Sequence, residues 1–194
     1  MFSYFKAPLF SFVFLLMFAI SGFAVEFIET LWLKILLGSV LILFYLFVVF
    51  IVFFTEGAQA LKIRHANDDD RYEMVKTGEE RYINETAEYK PFKGFLMGGI
   101  VCAPMIIFLL IHVIIMLSGG TNLFFGQAAG FVYTVFYCIP TATITQASVW
   151  QYLYVLYALP LLVGVGGIGY ILGARKQQAI YDKSEETKKK IYGE

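Results

Sequence analysis

Residues 55–93 read TEGAQALKIRHANDDDRYEMVKTGEERYINETAEYKPFK, the longest charged stretch in the chain. What surrounds it decides the fold. Before it, residues 31–54 carry a single charge, Lys34. After it, residues 94–174 contain no Asp, Glu, Lys or Arg, a run of 81 residues. Soluble domains carry about 25% charged residues and cover their surfaces with polar groups. This chain of 194 residues is 15% charged and 59% hydrophobic, and the charge is concentrated in a few places. Lipid is therefore the expected solvent for most of it, with no separate soluble domain. Net charge is formally zero. Nucleic acid is not expected as a partner, because phosphate binding needs an excess of Lys and Arg.

Working outward, the apolar runs fall at 7–25, 31–54, 94–117, 123–139 and 149–173. The first resembles a signal peptide, with Lys6 ahead of it and Gly22-Phe23-Ala24 near its end. It is nevertheless long enough to span, and it reads as a retained first transmembrane helix. The second, at 1.5 Å per residue, is about 36 Å long and can cross with some tilt. A tight turn near Thr30 would bring Ser21-Gly22 to the depth of Gly38-Ser39, where small residues let two backbones approach. Pro104 is expected to kink the third run. GxxxG spacings occur at Gly94/Gly98, Gly126/Gly130 and Gly169/Gly173, so the second half is expected to pack more tightly.

Basic residues set the orientation, since Lys and Arg concentrate in short cytoplasmic loops. Residues 55–93 hold seven and residues 174–194 hold six. Both are expected in the cytoplasm, together with both termini. An even number of crossings follows. The expectation is an all-α membrane protein, a small polytopic bundle of four transmembrane helices, with five as the alternative. The 123–139 run then becomes an outer re-entrant or interfacial helix. Within the charged loop, the second helix should continue to about residue 66. Asn67 or Asp68 would then cap a separate short helix over 68–77, closed by Lys76 and Gly78. Residues 89–93, an aromatic and basic group, read as an anchor before re-entry.

Candidate chemistry is sparse. No HExxH, GxSxG, P-loop or dinucleotide fingerprint is present. No catalytic residue, metal site or cofactor is expected. His65 with Asp68, Asp69 and Asp70 resembles a ligand cluster, but helix capping accounts for the aspartates. Cys102 and Cys138 lack metal or redox spacing and read as small buried hydrophobes. The Asn84-Glu85-Thr86 sequon falls in the expected cytoplasmic loop. His112 is the one titratable residue inside a span, and buried titratable groups in membranes mark function. It is the candidate ligand-binding residue, with Gln127 or Tyr133 as partner. The uncharged region 118–148, which includes Gln146, could line a vestibule for a neutral or lipidic ligand. The glycines Gly22, Gly38, Gly94, Gly98, Gly126, Gly130, Gly169 and Gly173 are the candidate helix-packing positions. The expected function is a multi-pass plasma-membrane protein acting as a non-catalytic accessory or assembly subunit. Its partners would be the bilayer and other membrane or cytoplasmic proteins, met through residues 55–93. A small carrier or channel component for a neutral or hydrophobic solute, and a lipid-directed membrane enzyme, are the alternatives.

Overall fold

The computed structural model describes residues 4–143 and 149–192. Among these every regular element is a helix, and there are no strands. Helix α1 covers Lys6–Glu26, α2 Leu31–Thr77, α3 Lys93–Leu117, α4 Phe124–Val132, α5 Thr134–Thr143 and α6 Ala158–Tyr192. A 3-10 segment, Val149–Tyr157, precedes α6. Four helices are long and apolar enough to cross a membrane: α1, α2, α3 and the helix that contains α6. Gln146 lies outside the described residues.

The longest elements correct the sequence reading. There is no separate helix over 68–77, because α2 runs unbroken for 47 residues, about 70 Å at the α-helical rise. Asn67 was expected to start a new helix by turning back on the backbone. Instead its side chain reaches sideways, donating to Glu88 at 2.7 Å and accepting the Asn84 N–H at 3.4 Å. With those partners it has no need of its own backbone, so the helix passes through. It ends at Gly78, whose φ of +73° is favourable only for glycine, and whose N–H bonds the Met74 carbonyl. The C-terminal tail is likewise not a separate element. Helix α6 continues through residue 174 to Tyr192. Its α pattern begins late because Pro160 has no N–H for the Leu156 carbonyl, and the preceding turns are 3-10. The 123–139 run is two helices, α4 and α5, broken at Tyr133. At nine and ten residues, neither is long enough to cross.

Helix α6 is the centre of the bundle, packed against α2 and α3. It runs parallel to α2: Gly169 meets Phe50, Gly173 meets Phe54, and farther along His65 meets Tyr181. A methyl group on Gly57 would overlap the Tyr170 carbonyl, and one on Gly173 would overlap the Phe54 carbonyl. These are backbone-to-backbone contacts that only glycine permits. On the α3 side, Gly94 lies against Tyr170 and Gly98 against Val163. Phe95 fills the space over Gly167, and Phe53 that over Gly166.

The hairpin of α1 and α2 packs differently from the expectation that its small residues face each other. Gly22 lies against the backbone of Thr134 and Val135, and Gly38 against Cys138 and Ile139. Both glycines receive α5, which wedges between α1 and α2. The Cys138 Sγ sits 3.4 Å from the Gly22 carbonyl. The wedge fills the cleft that the small residues leave, and a third helix fills it with more atoms than direct contact would. At the turn, Lys34 pairs with Glu26 at 2.7 Å. Phe136 of the wedge is fully buried, as are Leu15, Tyr45, Phe53, Met97, Met105 and Leu162 in the interior.

Candidate functional site

Two regions bring together the polar and aromatic side chains that a function could use, one at each end of the bundle. At the hairpin end, α4 and the 3-10 segment close over α3, beside the α5 wedge. Gly126 lets this cap approach. A methyl group there would meet the Tyr152 ring at 2.6 Å and His112 Nδ1 at 2.9 Å. His112 is fully buried, with Tyr152 set edge-on at 5.4 Å. Tyr152 in turn stacks on Tyr137 at 6.0 Å. Beyond that stack is a recess of about 320 Å³, lined by Phe23, Glu26, Gln127, Gly130, Phe131, Thr134, Tyr137 and Tyr152. Its walls are mostly aromatic, and its one carboxylate is engaged by Lys34.

The structure separates the three candidate ligand residues. Gln127 lines the recess, and His112 lies behind Tyr152. Tyr133 is elsewhere: its hydroxyl donates to the Val101 carbonyl at 2.5 Å. Val101 and His112 are about 16 Å apart along α3 by helical rise. Pro104 leaves the Ile100 carbonyl, one residue before Val101, without an internal donor. Tyr133 therefore ties the α4–α5 junction to the middle of α3, and that task occupies its polar atom.

At the loop end, α2 and α6 leave the bundle together as a paired stalk. His65 stacks face to face on Tyr181, with centroids 4.1 Å apart, and its Nε2 lies 3.1 Å from Gln178 Oε1. The return loop runs back along α2. Arg81 pairs with Asp70 and Glu73. Arg71 pairs with Asp68 and Glu88, and hydrogen bonding to Asp68 raises its pKa further. Asn67 holds both Asn84 and Glu88. Tyr89 then stacks on Tyr170 at 5.4 Å. Lys93 closes the loop from inside the protein, donating to the Thr86 carbonyl at 3.1 Å while lying over the Tyr4 ring. Sequence reasoning missed Asn67 and Lys93 as the fasteners of this loop. The sequence around Asn67, His65-Ala66-Asn67-Asp68-Asp69-Asp70, is poor in strong helix formers and gave no signal of an unbroken helix.

The aspartates that resembled a metal cluster are spread around α2, and two of them are paired with arginines. Among the described residues, no group of three or more His, Cys, Asp or Glu side chains could hold a metal ion. No family model, no curated protein and no solved structure matches the chain.

Proposed function

We propose that the protein is a multi-pass plasma-membrane protein, with both termini in the cytoplasm, that works without catalysis as an accessory or assembly subunit. Its partner proteins engage the α2–α6 stalk and the return loop. The observation that carries this reading is an ordered stalk with apolar side chains turned to water. Tyr72 and Val75 are 70% and 89% exposed, and Tyr82 in the pinned loop is 85% exposed. Tyr72 and Val75 are three residues apart and share one helix face. Exposed aromatic and aliphatic groups on a held surface in water are a feature of interaction sites. The arginine and asparagine fasteners support the same reading, because they keep the loop in one shape for a partner to meet. The seven basic residues of 55–93 support the cytoplasmic side for this end. The shortness of α4 and α5 supports a re-entrant pair rather than a fifth crossing.

The test is chemical cross-linking in native membranes, followed by affinity capture of the full chain and of a Tyr72→Ser/Val75→Ser/Tyr82→Ser variant. The wild type should capture a reproducible partner set that the variant loses at equal expression. An unchanged set would overturn the reading.

The recess near Gln127 favours a second reading, a carrier component for a neutral or hydrophobic solute. Under this reading Gln127 contacts the solute and His112 supports the wall. Tyr45, Tyr133 and Phe136 fill the bundle below the recess, which supports the first reading over this one.

A further inference from the structure

Charge at the loop end is sorted by distance from the apolar bundle. Close to it lie Lys6, residues 55–64 and 86–93 and residues 174–177. Together these hold seven Lys or Arg and two acids, Glu56 and Glu88. Farther out, residues 65–85 and 178–192 hold ten acids and seven Lys or Arg. The collar next to the bundle is basic, and the stalk beyond it is acidic.

Pairing follows the same division. The distal arginines Arg71 and Arg81 are each engaged by two carboxylates. Among the described residues, Lys62, Arg64, Lys90, Arg175 and Lys176 form no ion pair, although Glu56 lies in the same band. All five are exposed or half-exposed. Lys176 of these, and Lys6 beside them, are held at this level by neighbours. Lys176 Nζ lies over the Phe54 ring at 5.6 Å, and Lys6 Nζ is 3.4 Å from Gln59 Oε1. Arg64 and Arg175 both act on Tyr89: burial pushes its hydroxyl above the ordinary pKa, and the two arginines pull against that rise. Lys93 does not belong to the accessible set, since it is buried and bonded to loop carbonyls.

We propose that this collar binds the phosphate head groups of anionic phospholipids in the leaflet facing the loop end. Charge complementarity points to this occupant. Unpaired cations at the edge of an apolar bundle lie at the depth of lipid phosphates, where anionic lipid attracts each of them. Lysine and arginine stems resting on aromatic or aliphatic surface can extend their heads to that plane. The inference needs the four helices to span a bilayer, and does not need the stalk to meet a partner.

The test uses the purified full chain in phosphatidylcholine vesicles with spin-labelled phosphatidylglycerol or spin-labelled phosphatidylcholine as probe. The fraction of motionally restricted label should favour phosphatidylglycerol by about threefold or more at low salt, and salt should reduce that preference. Arg64→Gln/Arg175→Gln should bring the ratio towards one. Lys90→Gln/Lys176→Gln, which removes two further exposed cations of the collar, should also lower it. Arg71→Gln/Arg81→Gln should leave it unchanged, since those side chains are occupied by carboxylates. A wild-type ratio of one would overturn the proposal whatever the variants do. So would an equal fall in the proximal and distal double variants.

Discussion

Helix α2 can be compared with itself, in its apolar half and in its polar half, because the same partner, α6, accompanies both. Between Phe50 and Gly57 the two helices are joined by glycines pressed against backbone. Between His65 and Arg71 no glycine contributes. There the pair is held by a ring stack and a histidine–glutamine contact, while arginines bind the return loop to α2. The difference follows from the solvent. In lipid there is no hydrophobic gain from pairing two apolar helices, so close approach and dispersion must supply it, and small residues allow that. In water, side chains can bury rings and exchange hydrogen bonds, but each exposed ion pair is worth little because water competes. One helix thus changes its means of attachment where it changes solvent.

Three substitutions can break or sharpen that comparison, beginning with the largest effect. Gly173→Leu should be the most damaging, because its side chain would enter the Phe54 backbone, where nothing flexible can yield. Overpacking of this kind costs about 1–3 kcal/mol or more. Size-exclusion profiles and thermal unfolding in detergent should show loss of the monodisperse species. If Gly173→Leu folds normally, the close-approach account of the apolar half is wrong.

Asn67→Leu comes next. It leaves the Asn84 N–H without its acceptor and takes one of two donors from the Glu88 carboxylate, which keeps Arg71, at a cost of about 1–3 kcal/mol. The damage should be confined to the loop. Limited trypsin digestion should cleave after Arg81 several-fold faster while the apolar half keeps its melting temperature. A matching drop in that melting temperature would show that loop and bundle fold as one unit.

Arg81→Ala should have the smallest effect. Its pairs with Asp70 and Glu73 are exposed to water, so the expected cost is below about 1 kcal/mol and should vanish at high salt. Hydrogen exchange of the amides around residue 82 reads this directly. An effect as large as that of Asn67→Leu would mean that the ion pairs, rather than the asparagine, fasten the loop.

How far these features could be read in advance depends on the distance over which each is decided. The apolar runs are local, and they were enough to mark four helices able to cross a membrane. The glycine at 78 is local too, since few other residues accept its backbone angle. Asn67 was not readable in this way. Asparagine serves a helix cap and a side-chain clasp equally well, and only the presence of Asn84 and Glu88 alongside selects the second. The hairpin glycines were marked as packing positions, but their neighbour was assumed to be the next helix in sequence rather than α5. His112, Gln127 and Tyr133 looked like one site because they lie close in sequence. Tyr133 is drawn away by the carbonyl it satisfies on α3.

The sequence by itself determined the solvent of each segment, because hydrophobic and charged residues partition independently of their eventual neighbours. It also marked Gly78 as a helix stop, though of a separate helix rather than of α2. Only the tertiary structure decided that α2 and α6 continue as one stalk, that α5 rather than α1 occupies Gly38, and that the return loop lies fixed along α2. Each of these depends on which surfaces meet after the helices have formed. That is a matter of shape and of hydrogen-bond partners far apart in the chain, and no local pattern records it.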